Sequence, residues 1–296
     1  NAQGLVENVQ ILSSNLVSNG DFSQEGSQLI LNPNFNDNTW WVVESPAVEI
    51  SNGKANFNTL LQNWGIYKNN TLTSGKQYKV LFTIDSYTSG GVHLNIGGGV
   101  VGSYTAIGTY TAYVTGGGTN VFAIQSDSGG AILSIDNVSV KEVGQDWTLG
   151  TGWSIGDGVV INDGTSGSSD SLVYTAGFPT VSTKTYELSV VFDSYDITNS
   201  NAIIAMDSGA IPSSYNRVIA RQADQDNIVN GVYKLNFIAS SSTVFKLYSR
   251  SGATATISSI SVIEITDDTN LPRINYEGFS YQDSLGSELV TNGDFS

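Results

Sequence analysis

Apolar and polar residues alternate along much of this chain, which is the pattern of half-buried β-strands. The alternation is clearest in residues 132–140, while the mostly apolar run 78–84 predicts a buried strand and 93–96 predicts another. Glycine triplets at 97–99 and 116–118 mark turns or bulges. Long amphipathic helical patterns are absent, so the sequence predicts an all-β fold.

The strand pattern occurs twice, with conserved spacing between its landmarks. Tyr78 precedes Asp85-Ser86-Tyr87 as Tyr186 precedes Asp193-Ser194-Tyr195, since 85 − 78 and 193 − 186 are both 7. Further pairs are Gly108-Thr109-Tyr110 with Gly231-Val232-Tyr233, Phe122 with Phe245, residues 135–143 with 257–265, and Trp41 with Trp153. This self-similarity predicts two homologous modules.

The landmarks divide the chain into four parts. Residues 1–14 are interpreted as a connector from an upstream part, 15–143 as module 1, 144–265 as module 2, and 266–296 as a connector leading to the start of a further module. Module 2 carries about 15 extra residues near 211–230, because Tyr78 to Tyr110 spans 32 residues and Tyr186 to Tyr233 spans 47. We expect a surface loop or short helix there.

A short phrase opens this pattern and returns at its end. Residues 16–23 read Leu-Val-Ser-Asn-Gly-Asp-Phe-Ser, and residues 289–296 repeat them with one Ser-to-Thr change, 289 − 16 = 273 positions later. A weaker copy occupies residues 29–35. Each copy predicts a short strand that runs into an Asn/Gly/Pro turn and returns one aromatic residue to the core. The last copy is therefore expected to open another module.

Composition excludes several functions. The net charge of −15 disfavours binding to nucleic acid or an anionic membrane. The absence of cysteine excludes disulfides and thiolate metal sites, and no apolar run is long enough to span a bilayer. His93 is the one histidine, and neither a Gly-x-Ser-x-Gly elbow nor a Walker phosphate loop is present. We therefore predict that this segment is not an enzyme.

The two modules resemble the jelly-roll carbohydrate-binding modules appended to xylanases and other glycan hydrolases. The resemblance is carried by the opening Asn-Gly-Asp-Phe phrase, the early Trp, the Gly-x-x-Tyr strand and the closing Ile-Asp-Asn-Val-Ser-Val strand. The resemblance implies two tandem jelly-roll β-sandwich modules joined by short connectors. It also implies sugar rings stacked on exposed aromatic residues, with amide side chains bonding their hydroxyls. The candidate carbohydrate-binding residues are Trp40, Trp41, Gln62, Asn63, Trp64 and Tyr67.

Adjacent Trp40 and Trp41 would point to opposite faces of a strand, so one could be core while the other meets a ligand. The alternative is that all these aromatic residues serve core or inter-module packing. The same resemblance implies a structural calcium ion in module 1, with Asp21 and Asp136 as candidate ligands. Here the alternative is that both residues are solvated and cap turns.

A second resemblance is to bacteriophage virion proteins, namely tail, fibre and head-surface or decoration proteins. It depends on residues 270–276 and on the joint between Val140 and Trp153. It implies a structural and adhesive protein at the virion surface, assembled with other virion proteins as a homo-oligomer, with a trimer as one form, and contacting host surface glycans. The alternatives are a glycan-binding accessory region of a secreted bacterial polysaccharide hydrolase, and a surface-filament or S-layer subunit that binds no sugar.

Overall fold

A computed structural model describes residues 10–59, 61–167, 170–199, 201–267, 274–275 and 280–281, and every regular element within them is a β-strand. The predicted all-β fold class is confirmed, and the strands form two jelly-roll-type β-sandwiches with separate hydrophobic cores. Within the described residues there is no helix of the length and apolarity needed to cross a membrane.

The first part of the chain forms ten strands. They are β1 (Gln10–Leu12), β2 (Glu25–Gln28), β3 (Val42–Val43), β4 (Val48–Ser51), β5 (Lys54–Thr59), β6 (Gly65–Lys68), β7 (Gln77–Ile96), β8 (Gly99–Tyr104), β9 (Gly108–Thr115) and β10 (Phe122–Val143). Strands β2 to β10 make up sandwich 1, residues 25–143.

Two long antiparallel strands, β7 and β10, run through both layers of sandwich 1. Their pairing extends from Gln77 opposite Val143 to Ile96 opposite Phe122, with register shifts that bend both strands in the middle. One half of the pair is flanked by β9 and β5, and the other half by β8 and β6. Alternate side chains of the two layers meet in the core, where Phe82 and Phe122 are fully buried.

The second part of the chain continues with β11 (Trp147–Leu149), β12 (Trp153–Gly156), β13 (Val159–Asn162), β14 (Ser171–Tyr174), β15 (Thr185–Asp196), β16 (Ile203–Ser208), β17 (Val218–Arg221), β18 (Gln225–Asp226), β19 (Val232–Ile238), β20 (Phe245–Arg250) and β21 (Thr254–Asp267). A separate two-stranded ribbon follows, β22 (Ile274–Asn275) with β23 (Ser280–Tyr281).

Sandwich 2 repeats the path of sandwich 1 with its long strands divided. The order β12-β13-β21-β15-β19 forms one layer, and β11-β14-β20-β16-β17-β18 forms the other. Tyr110 lies opposite Phe82 in sandwich 1, and Tyr233 lies opposite Val190 in sandwich 2, as the matched spacing requires. The extra residues near 211–230 form a loop rather than a helix, and the loop contains the short strands β17 and β18. Strand β17 pairs with β16 as β8 pairs with β7.

Residues 10–22 belong to sandwich 2, where the sequence predicted a connector (1–14) followed by the start of module 1 at Asn15. Strand β1 pairs antiparallel with β21. The amide of Leu16 donates to the carbonyl of Val262 at 2.8 Å, and that of Ile260 donates to the carbonyl of Gly20 at 2.8 Å. Sandwich 2 therefore comprises residues 10–22 and 144–267, and sandwich 1 is inserted between its two pieces.

The physical reason is that sandwich 1 already has its own copy of the opening phrase. The amide of Leu29 donates to Val140 at 2.9 Å, and the amide of Val138 donates to Pro33 at 2.9 Å. These are the same contacts that residues 16–22 make with β21. Each copy thus opens one sandwich, while the final copy at 289–296 lies outside the described residues.

A tryptophan supports each opening phrase. Trp41 Nε1 donates to the carbonyl of Asn32 at 3.0 Å, and Trp147 Nε1 donates to that of Asn19 at 3.0 Å. Each indole also packs on the phenylalanine of its phrase, with ring centroids 5.5 and 5.4 Å apart. The counterpart of Trp41 is therefore Trp147, not Trp153 as the spacing suggested.

The two sandwiches are in direct contact. Gln77 Oε1 accepts a hydrogen bond from the amide of Ile155 at 2.6 Å, and the Tyr113 hydroxyl donates to Asp157 at 2.9 Å. Val143, the last residue of sandwich 1, is buried in the core of sandwich 2.

Candidate functional site

One outward side of sandwich 1 carries an ordered set of polar groups. It belongs to the layer β3-β6-β10-β7-β8, whose inward side chains, such as Ile66, Leu94 and Ile124, are fully buried in the core. Because side chains alternate along a strand, their neighbours point outward. We call this outward side the amide face and define it by Glu44, Tyr67, His93, Asn95 and Gln125.

Strand register brings the residues of the amide face into two rows. Tyr67 lies opposite Ala123, which lies opposite Asn95, while Gly65 lies opposite Gln125, which lies opposite His93. A Cβ atom at Gly65 would lie 2.0 Å from the carbonyl oxygen of Ile124, so only glycine fits beside the glutamine.

Gln125 is the centre of a hydrogen-bond network across this face. Its side chain is 7% exposed. Its Nε2 donates to both carboxylate oxygens of Glu44, at 3.1 and 3.0 Å, and to the carbonyl of Asn63 at 3.2 Å. Its Oε1 accepts from Asn95 Nδ2 at 3.0 Å. The buried amide is fully satisfied, and it fixes the exposed carboxylate and the half-buried Asn95 in place.

His93 anchors the second cluster of the amide face. The ring is 2% exposed, and its Nδ1 lies 2.9 Å from Asp127 Oδ1, while Ser103 Oγ donates to Asp127 Oδ2 at 2.5 Å. The carboxylate stands between the imidazole and the hydroxyl, and His93 Nε2 has no partner among the described residues. A Ser-His-Asp nucleophile needs the hydroxyl on the imidazole instead. This cluster therefore lacks the order that would activate Ser103.

The predicted carbohydrate-binding residues divide into three groups. Tyr67 is half-buried on the amide face itself. Gln62 and Asn63 are exposed and Trp64 is half-buried in the turn between β5 and β6, where the backbone of Asn63 joins the Gln125 network. Tyr67 and this turn thus lie beside Glu44, Asn95 and Gln125, which were not predicted as site residues from the sequence.

Trp40 and Trp41 form the third group, in the segment that leads into β3. Trp41 is 3% exposed and belongs to the core, so its proposed role as a stacking platform is wrong. Trp40 is half-buried and packs edge-on against Trp41 with centroids 4.7 Å apart. Lys68 Nζ donates to the carbonyl of Trp40 at 2.8 Å and lies 4.9 Å from its ring centroid. The pair lies in a bend before β3, where the alternation of a strand does not apply.

The two candidate calcium ligands lie in different surroundings. Asp21 accepts hydrogen bonds from the amide and hydroxyl of Ser23, at 3.3 and 2.9 Å, within the opening phrase of sandwich 2. Asp136 lies on β10 of sandwich 1, where it accepts from the amide of Asn137 at 2.7 Å. The described ranges contain no group of three or more His, Cys, Asp or Glu side chains placed to hold a metal.

Three residues of the amide face were not predicted from the sequence: Glu44, Asn95 and Gln125. They come from segments up to 81 positions apart, and strand pairing alone brings them together. A usable signal is present, because His93 and Asn95 separate the core positions of 92–96 and Gln125 follows the core residue Ile124. Period-two alternation does not tell which side of a strand is the core, so this signal could not show which residues form an outward surface.

Comparison with known proteins gives structural likenesses alone. No protein-family model and no curated protein sequence matches the chain. The tandem CBM22-1-CBM22-2 domains of Xyn10C from Paenibacillus barcinonensis are similar at 8% identity and a TM-score of 0.30, covering 82% of this chain and 99% of that one. A Paenibacillus xanthan lyase is similar at 14% identity and a TM-score of 0.26, covering 76% of this chain and 24% of that one.

A triple jelly-roll protein from the turret of an archaeal virus is similar at 15% identity and a TM-score of 0.23, covering 78% of this chain and 60% of that one. The chain thus spans less than two thirds of the lyase and of the viral protein. Because all three TM-scores lie well below 0.5, the function proposed below depends on the geometry of this chain.

Proposed function

We propose that the amide face of sandwich 1 is a carbohydrate-binding surface. The observation that carries this proposal is the network around Gln125, whose buried amide holds an exposed carboxylate and a second amide in fixed positions. Groups that are already ordered lose little conformational entropy when a ligand binds. A preorganised row of this kind suits a ligand with many hydroxyl groups.

The chemistry of the amide face matches both the hydroxyl groups and the apolar face of a sugar ring. The Glu44 carboxylate can accept hydrogen bonds from two neighbouring hydroxyls, and Asn95 adds an amide in the adjoining row. Tyr67 supplies an aromatic surface for the apolar face of the ring. The pyranose would lie flat across β6, β10 and β7, with the turn at residues 62–64 at one end.

At the level of the whole protein, we propose a structural and adhesive role on the surface of a phage particle. The resemblance of the linkers to those of virion proteins supports this role. A shallow face binds one sugar segment weakly, but many copies on one particle would raise the effective affinity.

The direct test is a glycan-array screen of a multimerised form of the 296-residue chain, followed by titration calorimetry with the strongest hit. We expect Tyr67→Ala to weaken binding about tenfold through lost stacking, which corresponds to about 1.4 kcal/mol. Tyr67→Phe keeps the ring and should bind as the parent does. Tyr215→Ala is the matched control and should not affect binding, because Tyr215 is a half-buried tyrosine of sandwich 2 outside the amide face.

Circular dichroism must show that each variant is folded. Absence of binding by the multimerised parent, or unchanged binding by folded Tyr67→Ala, would refute the carbohydrate-binding proposal. Mass spectrometry of purified particles tests the virion role separately, because a protein that is absent from the particle cannot serve on its surface.

A further inference from the structure

The layer of sandwich 2 equivalent to that of the amide face carries cationic side chains. Phe245 occupies in β20 the position that Phe122 occupies in β10, so Tyr248 and Arg250 stand where sandwich 1 has Gln125 and Asp127. Of the 12 Lys and Arg residues in this acidic chain, four lie in this layer or beside it: Arg217, Arg221, Lys246 and Arg250. This layer and its border thus carry a third of the chain's cationic residues, and Asp207, Asp224 and Asp226 lie among them.

Two of these arginines border a surface cavity of about 500 Å³. Ile203 of β16 lies opposite Arg250 of β20 on one side and opposite Arg221 of β17 on the other. Ile204, the next residue, is fully buried in the core, so Ile203 and the two arginines point outward in one row. The isoleucine forms an apolar floor between two guanidinium groups, and Asn201, Ala223 and Ser251 complete the lining.

The two guanidinium groups are poorly neutralised by the protein. Arg221 has one carboxylate partner in the described chain, Asp224 at 3.5 Å, and the Asp224 side chain is 61% exposed. Arg221 Nε is buried without a hydrogen-bond partner, and Arg250 forms no ion pair with the described residues. The Arg250 guanidinium instead lies 5.8 Å from the ring centroid of Tyr248. Both groups thus keep donors for an external anion.

We propose that this cavity binds a carboxylate-bearing sugar of an acidic polysaccharide. A guanidinium can bind a carboxylate through two parallel hydrogen bonds. Ile203 offers apolar surface to the sugar ring, while Asn201 and Ser251 offer groups for its hydroxyls. Tyr248 lies outside the lining and packs against the Arg250 guanidinium. The cavity shares no residue with the amide face, so an experiment can refute one of the two proposed sites without refuting the other.

The test is titration of the folded chain with an oligogalacturonide, alongside its fully methyl-esterified form, which has the same rings without the charge. We expect the ester to bind more weakly than the acid by about tenfold or by a larger factor, because the ester loses a charge-assisted hydrogen-bond pair. The double variant Arg221→Gln, Arg250→Gln should lose the preference for the acidic form. Lys234→Gln, in the other layer of sandwich 2, removes a positive charge elsewhere and should bind as the parent does.

Inorganic phosphate distinguishes a sugar site from a general anion site. We expect phosphate to compete weakly with the oligogalacturonide, because it makes no contact with the apolar floor. Phosphate binding as tight as that of the oligomer would overturn the proposal in favour of a simple anion site. Equal affinity for acid and ester, unchanged binding by the folded double variant, or no binding of the acid by the parent would overturn it as well.

Discussion

At the scale of single residues, Gly20 decides whether the opening phrase can dock on sandwich 2. A Cβ atom there would lie 2.2 Å from the carbonyl oxygen of Ile260, the residue whose amide bonds to Gly20. The phrase therefore needs glycine for close approach of two backbones. Neighbouring Val17 and Phe22 can be buried because this approach is possible.

We predict that Gly20→Ala destabilises sandwich 2 by about 1–3 kcal/mol, the usual cost of added bulk at a packed position. Urea denaturation monitored by tryptophan fluorescence measures the change, because Trp147 contacts the same phrase. Gly129→Ala is the control: a Cβ atom there meets nothing within 4 Å, and its stability should stay near that of the parent. Equal stability of the two variants would contradict the role assigned to Gly20.

At the scale of elements, Glu25 fastens the short strand β2 to the two long strands of sandwich 1. Its carboxylate lies 2.6 Å from Lys79 Nζ on β7 and 2.9 Å from Lys141 Nζ on β10. Hydrogen bonds from these lysines hold the pKa of Glu25 below its ordinary value of 4.5. Because the pKa is lowered in the folded state, the ion pairs stabilise the protein fully above the ordinary value and are lost as the pH falls through the lowered one.

Glu25→Gln should therefore lower the free energy of unfolding of sandwich 1 by about 1 kcal/mol at pH 7, since partly exposed ion pairs are individually weak. The difference from the parent should shrink as the pH falls below about 4.5 and vanish once the carboxylate is protonated. Denaturant titrations across this range measure it, with Glu49→Gln as the control at an exposed position. A difference that stays constant with pH would rule out the ion pairs as its cause.

Local strand pattern could be predicted from the sequence, but pairing across long distances could not. The spacing from Tyr78 to Tyr87 recurs from Tyr186 to Tyr195, and the strands repeat with it, because alternation and turn residues act locally. The pairing of Gln10 with Asp267 has no local signal. For the candidate site, Tyr67 was predictable from its residue type, whereas Gln125 acquires its role from partners on three other segments.

At the scale of the whole molecule, sandwich 1 is an insertion into sandwich 2. It is entered at Glu25 and left at Val143, which are partners in the same strand pair. Residues 10–22 and 144–267 must come together around it to complete the second core. Sandwich 2 is therefore discontinuous in sequence, whereas sandwich 1 is formed by one continuous segment.

This insertion determines how the molecule responds to tension. A pulling force applied to the two ends of sandwich 2 acts on Gln10 and Asp267, which are paired at the outer end of β1 and β21. In this geometry the strands unzip one hydrogen bond at a time, and sandwich 1 bears no load until residues 10–22 have peeled away. In optical-tweezer pulling we expect sandwich 2 to yield first, and Gly20→Ala to lower the force of that first event alone. Rupture of sandwich 1 first would contradict this force path, in which sandwich 2 unfolds first and shields the inserted sandwich 1 from mechanical load.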